Sequence, residues 1–300
     1  VTAIAKYHMT ELGRSVMNDA MDIQSGKGIQ LGPKNYLGHP YMSNPISITV
    51  EGANILTRSL MIFGQGATRC HPYVLAEMEA AAMENQHEAL ERFDALLMGH
   101  MGYATRNAFS ALFSALSGSR FGSAPVSGET KQYYKDMSRI SSALALMTDL
   151  SMLIMGGDLK RKEMLSARMG DVLSQLYLGS ATLKLFEDNG RQQDDLPAVR
   201  YVMANRLHLA AKALEDTIRN FPSRPVAWLL RGLIFPLGNH FTAPSDKMAT
   251  DLVSGMLKPG PARERITFLC PEFEGDKGGI AEVEGGIQET LEGMGDFGIV

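Results

Sequence analysis

The sequence predicts an all-α protein, and three observations support this prediction. Apolar residues recur every three or four positions through 140–154, 165–183 and 199–218, which is the spacing of one buried face of an α-helix. The β-branched run "ISITV" at 46–50 is isolated, so we expect an extended lead-in there rather than a strand. Hydrophobic residues make up 45% of 300, enough to bury a substantial core. We therefore expect a helical bundle followed by a further helical extension.

Glycine and proline divide the first part of the chain. The first predicted helix runs from residue 2 to about 24 and stops at the glycine-rich "SGKGIQLGP". Three prolines make residues 30–50 irregular by prediction. A helix follows at about 53–64, "GQGATRCHP" breaks it, and residues 72–117 form one or two long helices.

A serine- and glycine-rich stretch at 117–129 is the clearest change in composition, and it predicts two domains, 1–117 and 129–300. Three strong helices follow it, with Asp158 as a predicted N-cap of the second and "EDNGRQQDDLP" as the turn before the third. A short helix is predicted near 244–257, capped by "PSDK", and "GGIAEVEGGIQETLEGM" suggests one more.

Composition excludes several classes of protein. A net charge of −4 and a pI near 6.0 argue against a dedicated nucleic-acid binder. Two cysteines, Cys70 and Cys270, suggest no disulfide framework and fit a reducing compartment. The sequence contains no run of about 18 apolar residues, so we predict no membrane span. The start has helical rhythm and no basic segment before an apolar one, so we interpret it as a cut inside a larger protein rather than a signal peptide.

Glu51 stands out because it lies in an almost entirely apolar or small stretch, "ISITVEGANILTRSL". One interpretation is an acid at a helix N-terminus, where the helix dipole favours negative charge. The other is a general base at a helix start, in partly desolvated surroundings that raise its pKa. The following Gly52 would allow another molecule to approach the backbone closely.

The segment "DIQSGKGIQLG" at 22–32 also has two interpretations. Gly26 and Gly28 could leave backbone N–H groups free for phosphate or pyrophosphate oxygens. The segment follows a helix rather than a strand and lacks a third glycine, so it is no dinucleotide fingerprint. A plain helix C-cap and loop explains it equally simply.

The remaining candidates have simpler structural explanations. Cys70 and His71 are adjacent, which suits neither a zinc pair nor a nucleophile–base pair without distant partners, and no histidines show metal-ligand spacing. No metal site is predicted. The charged segment "LKRKEMLSARMGD" at 159–171 is typical of a solvated helix face, and an anion-binding surface is the alternative.

Two motifs in the first 70 residues together resemble the C-terminal helical domain of acyl-CoA dehydrogenases. That family has a helix ending close to Q-x-x-G-G-x-G, and about two dozen residues later an E-G-T with the catalytic glutamate. Here these read "DIQSGKG" and "VEGAN". The rest, including "GGDLKRKEMLSARMGDVLSQLYLGSATLK", "IFPLGNHFTAPSDKMATDLVSGML" and "ARERIT", resembles the C-terminal extension of the long bacterial enzymes of fatty-acid β-oxidation.

The resemblance implies a role for each matching residue. Glu51 matches the base that takes the α-proton of the acyl thioester, and Gly52 matches the residue lying against the acyl chain. Arg58 matches a basic residue one turn into the helix. Positions implied to contact FAD are Asp22, Ile23, Gln24, Ser25, Gly26, Ala53 and Asn54. The chain departs from the family where Asp22 replaces glutamine, Ser25 the first glycine and Ala53 the usual threonine.

The implied activity is oxidation of acyl-CoA to trans-2-enoyl-CoA by a flavin enzyme, of which this chain is the C-terminal part and inactive alone. The implied partners are an acyl-CoA substrate, FAD in the full-length protein, an electron-transfer flavoprotein and further copies in a homo-oligomer. The expected location is the cytoplasm, with peripheral contact to the inner membrane. The competing hypothesis is a non-catalytic helical module for oligomerisation or docking. An adjoining β-rich domain upstream would favour the enzyme.

Overall fold

The computed structural model describes residues 1–268, and this part of the chain is helical without strands. The all-α prediction is confirmed. In chain order the helices are α1 (Thr2–Gln24), α2 (Gly38–Thr49), α3 (Asn54–Leu56), α4 (Gly66–Cys70), α5 (Val74–Ala81), α6 (Gln86–Ser117), α7 (Lys131–Met155), α8 (Glu163–Asp188), α9 (Leu196–Arg219), α10 (Arg224–Ile234), α11 (Asp246–Leu257) and α12 (Pro261–Thr267). The predicted helix at "GGIAEVEGGIQETLEGM" lies outside the described residues.

Side-chain caps and a glycine fix several helix ends. Asn85 caps α6, because its side-chain oxygen accepts hydrogen bonds from the backbone N–H groups of His87 and Glu88. Gly118 ends α6 in the left-handed conformation and opens the loop at 118–130, where the sequence predicted one at 117–129. Ser245 caps α11. Asp158 does not cap α8; it lies in a 3₁₀ turn, Gly156–Arg161, that precedes that helix.

Two segments differ from the sequence prediction. Residues 38–49 form α2 despite Pro45 in the helix interior, and α2 packs along α1. Tertiary packing thus overrides the local effect of proline. The helix from Asn54 also continues through "GQGATRC" to Cys70, and its middle part, Thr57–Gln65, has π-helical hydrogen bonding. Such π segments are uncommon and occur frequently at functional sites.

The chain forms two compact units, and their boundary does not fall at 117–129. The first unit comprises 1–181 with 205–242, and among the described residues the second comprises 182–204 with 243–268. The predicted loop therefore lies inside the first unit.

The core of the first unit confirms the predicted helical stripes. Its fully buried side chains include Ile140 and Met147 of α7, Met169 of α8 and Leu214 of α9. Phe63, from the π segment, belongs to the same core. The stretch Lys131–Arg161 is apolar and long enough to cross a membrane by length and composition, yet α7 supplies much of this core.

In the second unit, α12 is attached to the turn before α9. Arg265 donates from Nε and Nη2 to the carboxylate of Asp195, with the shortest distance 2.7 Å. Leu183, Val199 and Met203 are buried, as their stripes predicted.

Candidate functional site

Glu51 and Gly52 form the turn between α2 and α3, and both adopt positive backbone φ angles. Glu51 has φ 55° and Gly52 has φ 100°. A left-handed conformation costs a residue with a Cβ roughly 1–2 kcal/mol, so surrounding contacts must hold Glu51 in place. Its side chain is exposed, and in residues 1–268 no cation pairs with it. The carboxylate is thus free to meet a ligand.

This position weakens the interpretation of Glu51 as a helix-terminal acid. The helix begins at Asn54 with Ala53 as its N-cap, so Glu51 precedes the first helical turn by three residues. The favourable effect of the helix dipole fades outside that first turn. The exposed carboxylate also lacks the partly desolvated surroundings that the sequence predicted for a base.

Lys6 of α1 fastens this turn. Its Nζ donates to the carbonyl oxygen of Gly52 at 2.9 Å, to Asn54 Oδ1 at 2.6 Å and to the carbonyl of Ile48 at 3.3 Å. One cation therefore joins the last turn of α2, the Glu51 turn and the first residue of α3. Charge-assisted bonds of this kind are among the stronger hydrogen bonds in proteins.

Asn54 completes the attachment to α1. Its Nδ2 donates to Thr10 Oγ1 at 2.9 Å and to Glu11 Oε1 at 2.8 Å, and the residue is buried. The polar atoms of its side chain are therefore engaged within the protein. The resemblance implies flavin contacts for Ala53 and Asn54. The Asn54 side chain is already hydrogen-bonded within the protein, whereas the Ala53 side chain is not.

Arg58 links the π segment to α8. Its Nε and Nη2 donate to the two carboxylate oxygens of Asp171 at 2.8 Å and 2.5 Å. This bidentate hydrogen bonding raises the pKa of Arg58 above its ordinary value. Arg58 thus serves as an anchor for the segment that follows the Glu51 turn.

Small residues bring α8 close to the π segment. A Cβ added at Gly170 would lie 3.3 Å from the carbonyl oxygen of Arg58 and 3.4 Å from Ile62 Cγ2. A Cβ at Gly64 would lie 3.3 Å from Ser166 Oγ. The two glycines therefore permit a helix contact that places the Arg58 and Asp171 side chains in reach of one another.

Burial also perturbs two side chains of α1 near this anchor. Burial raises the pKa of the Tyr7 hydroxyl. Burial lowers the pKa of His8, and the nearby Arg206 lowers it further. His8 Nε2 is buried without a hydrogen-bond partner, which is consistent with a neutral ring.

The loop that resembles a flavin contact lies at the other end of α1. Asp22, Ile23, Ser25 and Gly26 are exposed, and Ser25 has φ 50°. Glu11, which contacts Asn54, is eleven residues before Asp22, so the loop and the Glu51 turn are roughly 16 Å apart along the helix axis. Within one chain the two sets of residues are therefore not in contact with one another.

The glycine loop is not a free phosphate cradle. The backbone N–H of Gly28 donates to the carbonyl of Ser25 at 2.9 Å, and the carbonyl of Gly28 accepts from Asn35 Nδ2 at 2.7 Å. The N–H of Ser25 bonds back to carbonyls of α1. The hypothesis that Gly28 leaves its N–H free for phosphate is therefore wrong, and the helix C-cap interpretation explains this part of the loop.

A second polar cluster was missed by sequence reasoning because its members come from separate elements. His71 Nε2 lies 2.8 Å from Asp149 Oδ1, and His100 Nε2 lies 3.4 Å from the same oxygen. His100 Nδ1 lies 2.9 Å from Glu77 Oε1. The cluster connects the segment before α5 with α5, α6 and α7. No local spacing in the sequence could have indicated it.

The composition of this cluster is that of a metal site, but its hydrogen bonds favour another role. Among residues 1–268, His71, His100 and Asp149 offer ligand atoms within 4.8 Å of one another, and Asp149 Oδ2 has no partner. However, His71 Nδ1 accepts the backbone N–H groups of Tyr73 and Val74, each at 3.2 Å. The ring proton must then sit on Nε2, which donates to Asp149 instead of binding a metal. We interpret the cluster as a hydrogen-bond network that holds the segment before α5 against α6 and α7.

Comparison with known protein families gives a match over most of the chain. Residues 68–294 match the family of the acyl-CoA dehydrogenase C-terminal domain of bacterial type. The match begins after the Glu51 turn and Arg58, and it includes the His71 cluster and all helices from α5 onward. It also runs across the predicted boundary at 117–129. No solved structure matches the chain.

Proposed function

Because the chain belongs to the acyl-CoA dehydrogenase family through its bacterial-type C-terminal domain, we propose that it forms part of an enzyme that oxidises acyl-CoA to trans-2-enoyl-CoA. Glu51 is the proposed base for the α-proton. The observation that supports this choice is an exposed carboxylate with no cation partner, held in a left-handed turn that Lys6 and Asn54 fix to α1. Backbone strain of this kind is found where a functional group must be presented in one geometry.

The residues of this chain would position the acyl thioester beside the Glu51 turn and supply the Glu51 carboxylate as the base. A carboxylate can remove an α-proton only if the thioester carbonyl is stabilised as negative charge develops on it. The backbone N–H of Glu51 is a proposed donor to that carbonyl, and Gly52 leaves room for the acyl chain beside the turn. The family generally binds FAD, which when bound accepts the β-hydride. Glu51 would hold the abstracted proton.

The exposure of Glu51 places a condition on this proposal. A carboxylate in water is a weak base toward carbon, and exclusion of water would raise its pKa and shield the reaction. Residues 1–268 leave Glu51 exposed. We therefore propose that the cover over Glu51 comes from the other domains of the enzyme, in the manner the family resemblance implies.

The proposed flavin contacts fit the edge of a cofactor better than its phosphates. Asp22, Ile23, Ser25 and Gly26 lie on the surface, and a Cβ at Gly26 would meet nothing within 4 Å. A bound group can therefore approach them. The N–H groups of Ser25 and Gly28 are already engaged, so these residues would contact FAD without cradling its pyrophosphate. The family resemblance implies that this loop, Asp22 to Gly26, reaches the FAD of a neighbouring subunit.

Pathway, electron acceptor and location stay predictions. The similarity to long bacterial β-oxidation enzymes supports a role in fatty-acid oxidation, with an electron-transfer flavoprotein as the proposed acceptor. Cytoplasmic location with peripheral membrane contact is proposed on the same basis.

The test is Glu51→Gln in the complete enzyme that carries this chain. The amide keeps the shape of the side chain and loses its basicity, so we expect turnover of acyl-CoA to fall at least 1,000-fold, on the order of a lost base step, with FAD still bound. Exposed Glu84, which has no role in the proposal, supplies the matched control Glu84→Gln. Near-normal turnover by Glu51→Gln would remove Glu51 as the base.

A further inference from the structure

A polar groove lies between helices α6, α7 and α8. Its volume is about 650 Å³, which is within the range of small-molecule binding sites. Three tyrosines and four serines contribute to its walls, and of the described residues that line it only Arg106 carries a charge. The groove therefore offers hydroxyl groups and one cation, a set that suits a ligand with anionic oxygen atoms.

Asn107 brings a buried donor to this polar groove. It is 7% exposed, and its Nδ2 has no hydrogen-bond partner in residues 1–268. A buried donor without an acceptor destabilises a fold, and native proteins contain few of them. Its neighbour Arg106 forms no ion pair in this part of the chain, and its guanidinium lies 6.0 Å from the centroid of the Tyr103 ring. An amide and a guanidinium are thus both available to hold an anion.

An apolar groove of about 540 Å³ adjoins the polar one. Its walls include Met61, Ile62 and Phe63 of the π segment and Leu144 of α7. The two grooves are continuous, because four residues line both of them: Tyr103, Ser141, Ala145 and Leu173. Among the residues described for either wall, none is a carboxylate. The surface thus changes from hydrogen-bonding groups to hydrocarbon along one continuous depression.

We propose that the two grooves together bind an amphiphile with one aliphatic chain and an anionic oxygen head, either a fatty carboxylate or an alkyl phosphate. Arg106 and Asn107 donate hydrogen bonds to the head, and the chain lies against Met61 and Phe63. Burial of the chain supplies much of the affinity, whereas the charged hydrogen bonds fix its direction. A compact anion would fill the polar groove alone.

This site is separate from the proposed site of acyl-CoA oxidation. None of the residues that line the two grooves is one that the family resemblance implies for FAD or for the acyl thioester. Binding of the amphiphile therefore does not depend on the role proposed for Glu51, and Glu51→Gln should bind it as the wild type does.

The first test is isothermal titration calorimetry of the 300-residue chain with ligands below their micelle concentrations. Dodecanoate and dodecyl phosphate should each bind once per chain, and binding of only one of them would identify the preferred head. Inorganic phosphate lacks the chain and dodecyltrimethylammonium reverses the charge of the head, so both should bind at least about tenfold more weakly. Failure of both anionic amphiphiles to bind, or equal binding of dodecyltrimethylammonium, would overturn the proposal.

The second test concerns the residues that hold the head. Arg106→Gln should weaken the anionic amphiphiles at least about tenfold, as expected for lost hydrogen bonds to a charged group. Arg92→Gln changes an exposed arginine of the same helix that lines neither groove, and it should bind like the wild type. Asn107→Leu should also weaken binding, yet raise the urea midpoint of the unliganded chain because the unpartnered donor is gone. Wild-type affinity in Arg106→Gln would contradict the assignment of the head.

The third test locates the aliphatic chain. Cys70 is an exposed free cysteine that lines the apolar groove. In a Cys270→Ser background, dodecanoate at ten times its dissociation constant should slow the reaction of Cys70 with N-ethylmaleimide about tenfold, in proportion to the fraction of chains left unbound. Arg106→Gln should lose most of this protection at the same dodecanoate concentration. A chain that binds dodecanoate and leaves Cys70 fully reactive would place the ligand elsewhere and defeat the proposal.

Discussion

At the scale of single residues, Glu51 depends on contacts that the sequence could not reveal. The pattern of an isolated carboxylate followed by glycine was visible in "VEGAN". Lys6, which fixes that turn, is 46 residues away from Gly52, and only the packing of α1 against α2 brings the two together. The same limit applies to His71, His100 and Asp149, whose contacts join elements distant in the chain. Sequence reasoning finds local motifs, whereas these partners are set by tertiary structure.

Lys6→Met should therefore loosen the Glu51 turn. The substitution keeps much of the aliphatic stem and removes the hydrogen bonds to Gly52 and Asn54. We expect the free energy of unfolding to fall by about 1.5–3 kcal/mol, the usual range for hydrogen bonds to a charged group. Urea denaturation of the 300-residue chain measures this. Lys34→Met, at an exposed lysine, is the control. An equal loss of stability in both variants would show that the hydrogen bonds of Lys6 do not stabilise the Glu51 turn.

His8 predicts a loss of stability in acid. Its folded pKa is lowered below the ordinary value of 6.5 by burial and by Arg206. Above that value neither the folded nor the unfolded state binds the proton. As the pH falls below it, the unfolded chain is protonated first, so the folded state loses stability until the pH reaches the lowered pKa.

We expect His8→Gln to lose less stability than wild type between pH 7 and pH 5, measured by urea denaturation at each pH. The maximum contribution of one such group is about 1.4 kcal/mol per pH unit. His87, whose side chain is 83% exposed, gives the control His87→Gln, which should keep the wild-type pH dependence. Identical pH dependence in His8→Gln and wild type would show that His8 is not the group responsible.

At the scale of elements, periodicity was a reliable guide for the long helices and a poor one between residues 30 and 70. The stripes of α7, α8 and α9 face a core, as predicted, because burial of one face is what creates such a stripe. Helix α2 was not predicted because Pro45 is locally unfavourable in a helix. The π segment was not predicted because its hydrogen bonding has no distinct apolar period. Both segments take their form from contacts with other helices.

Gly170→Val tests the close contact between α8 and the π segment. The new side chain would meet the backbone of Arg58 and the side chain of Ile62, so helices must separate and the bond from Arg58 to Asp171 must lengthen. We expect a loss of about 1–3 kcal/mol in unfolding free energy, as for other overpacked sites. Gly13→Val is the matched control, because a Cβ at that helical glycine meets nothing within 4 Å. If Gly170→Val were as stable as Gly13→Val, the contact would not constrain the segment.

At the scale of the whole molecule, the family and the helical class were recognisable from sequence, whereas the division into units was not. A composition change at 117–129 correctly marks a loop, but compactness depends on which helices pack together, and α7 packs with α6 across that loop. The proposed flavin loop and the Glu51 turn likewise belong to opposite ends of one helix. Our proposal therefore assigns the completion of the site to the other domains of the enzyme.

The 300-residue chain alone should therefore fold and carry no FAD. Its helices have a common core in the first unit, while the proposed flavin contacts lie in two separate segments, and Asp22, Ile23, Ser25 and Gly26 of the first are exposed. Far-ultraviolet circular dichroism should show mostly helix, and the purified protein should lack the visible absorbance bands of flavin. A yellow, active chain would show that the cofactor site has been misplaced.

The most direct measurement of the central claim is hydrogen exchange at the acyl α-carbon in deuterated water. An acyl-CoA analogue that cannot lose its β-hydride isolates the proton-transfer step from oxidation. The complete enzyme should incorporate deuterium at the α-carbon, Glu84→Gln should do so at the same rate, and Glu51→Gln should fall to the uncatalysed rate while binding the analogue normally. Exchange by Glu51→Gln at the wild-type rate would contradict the assignment of Glu51 as the base.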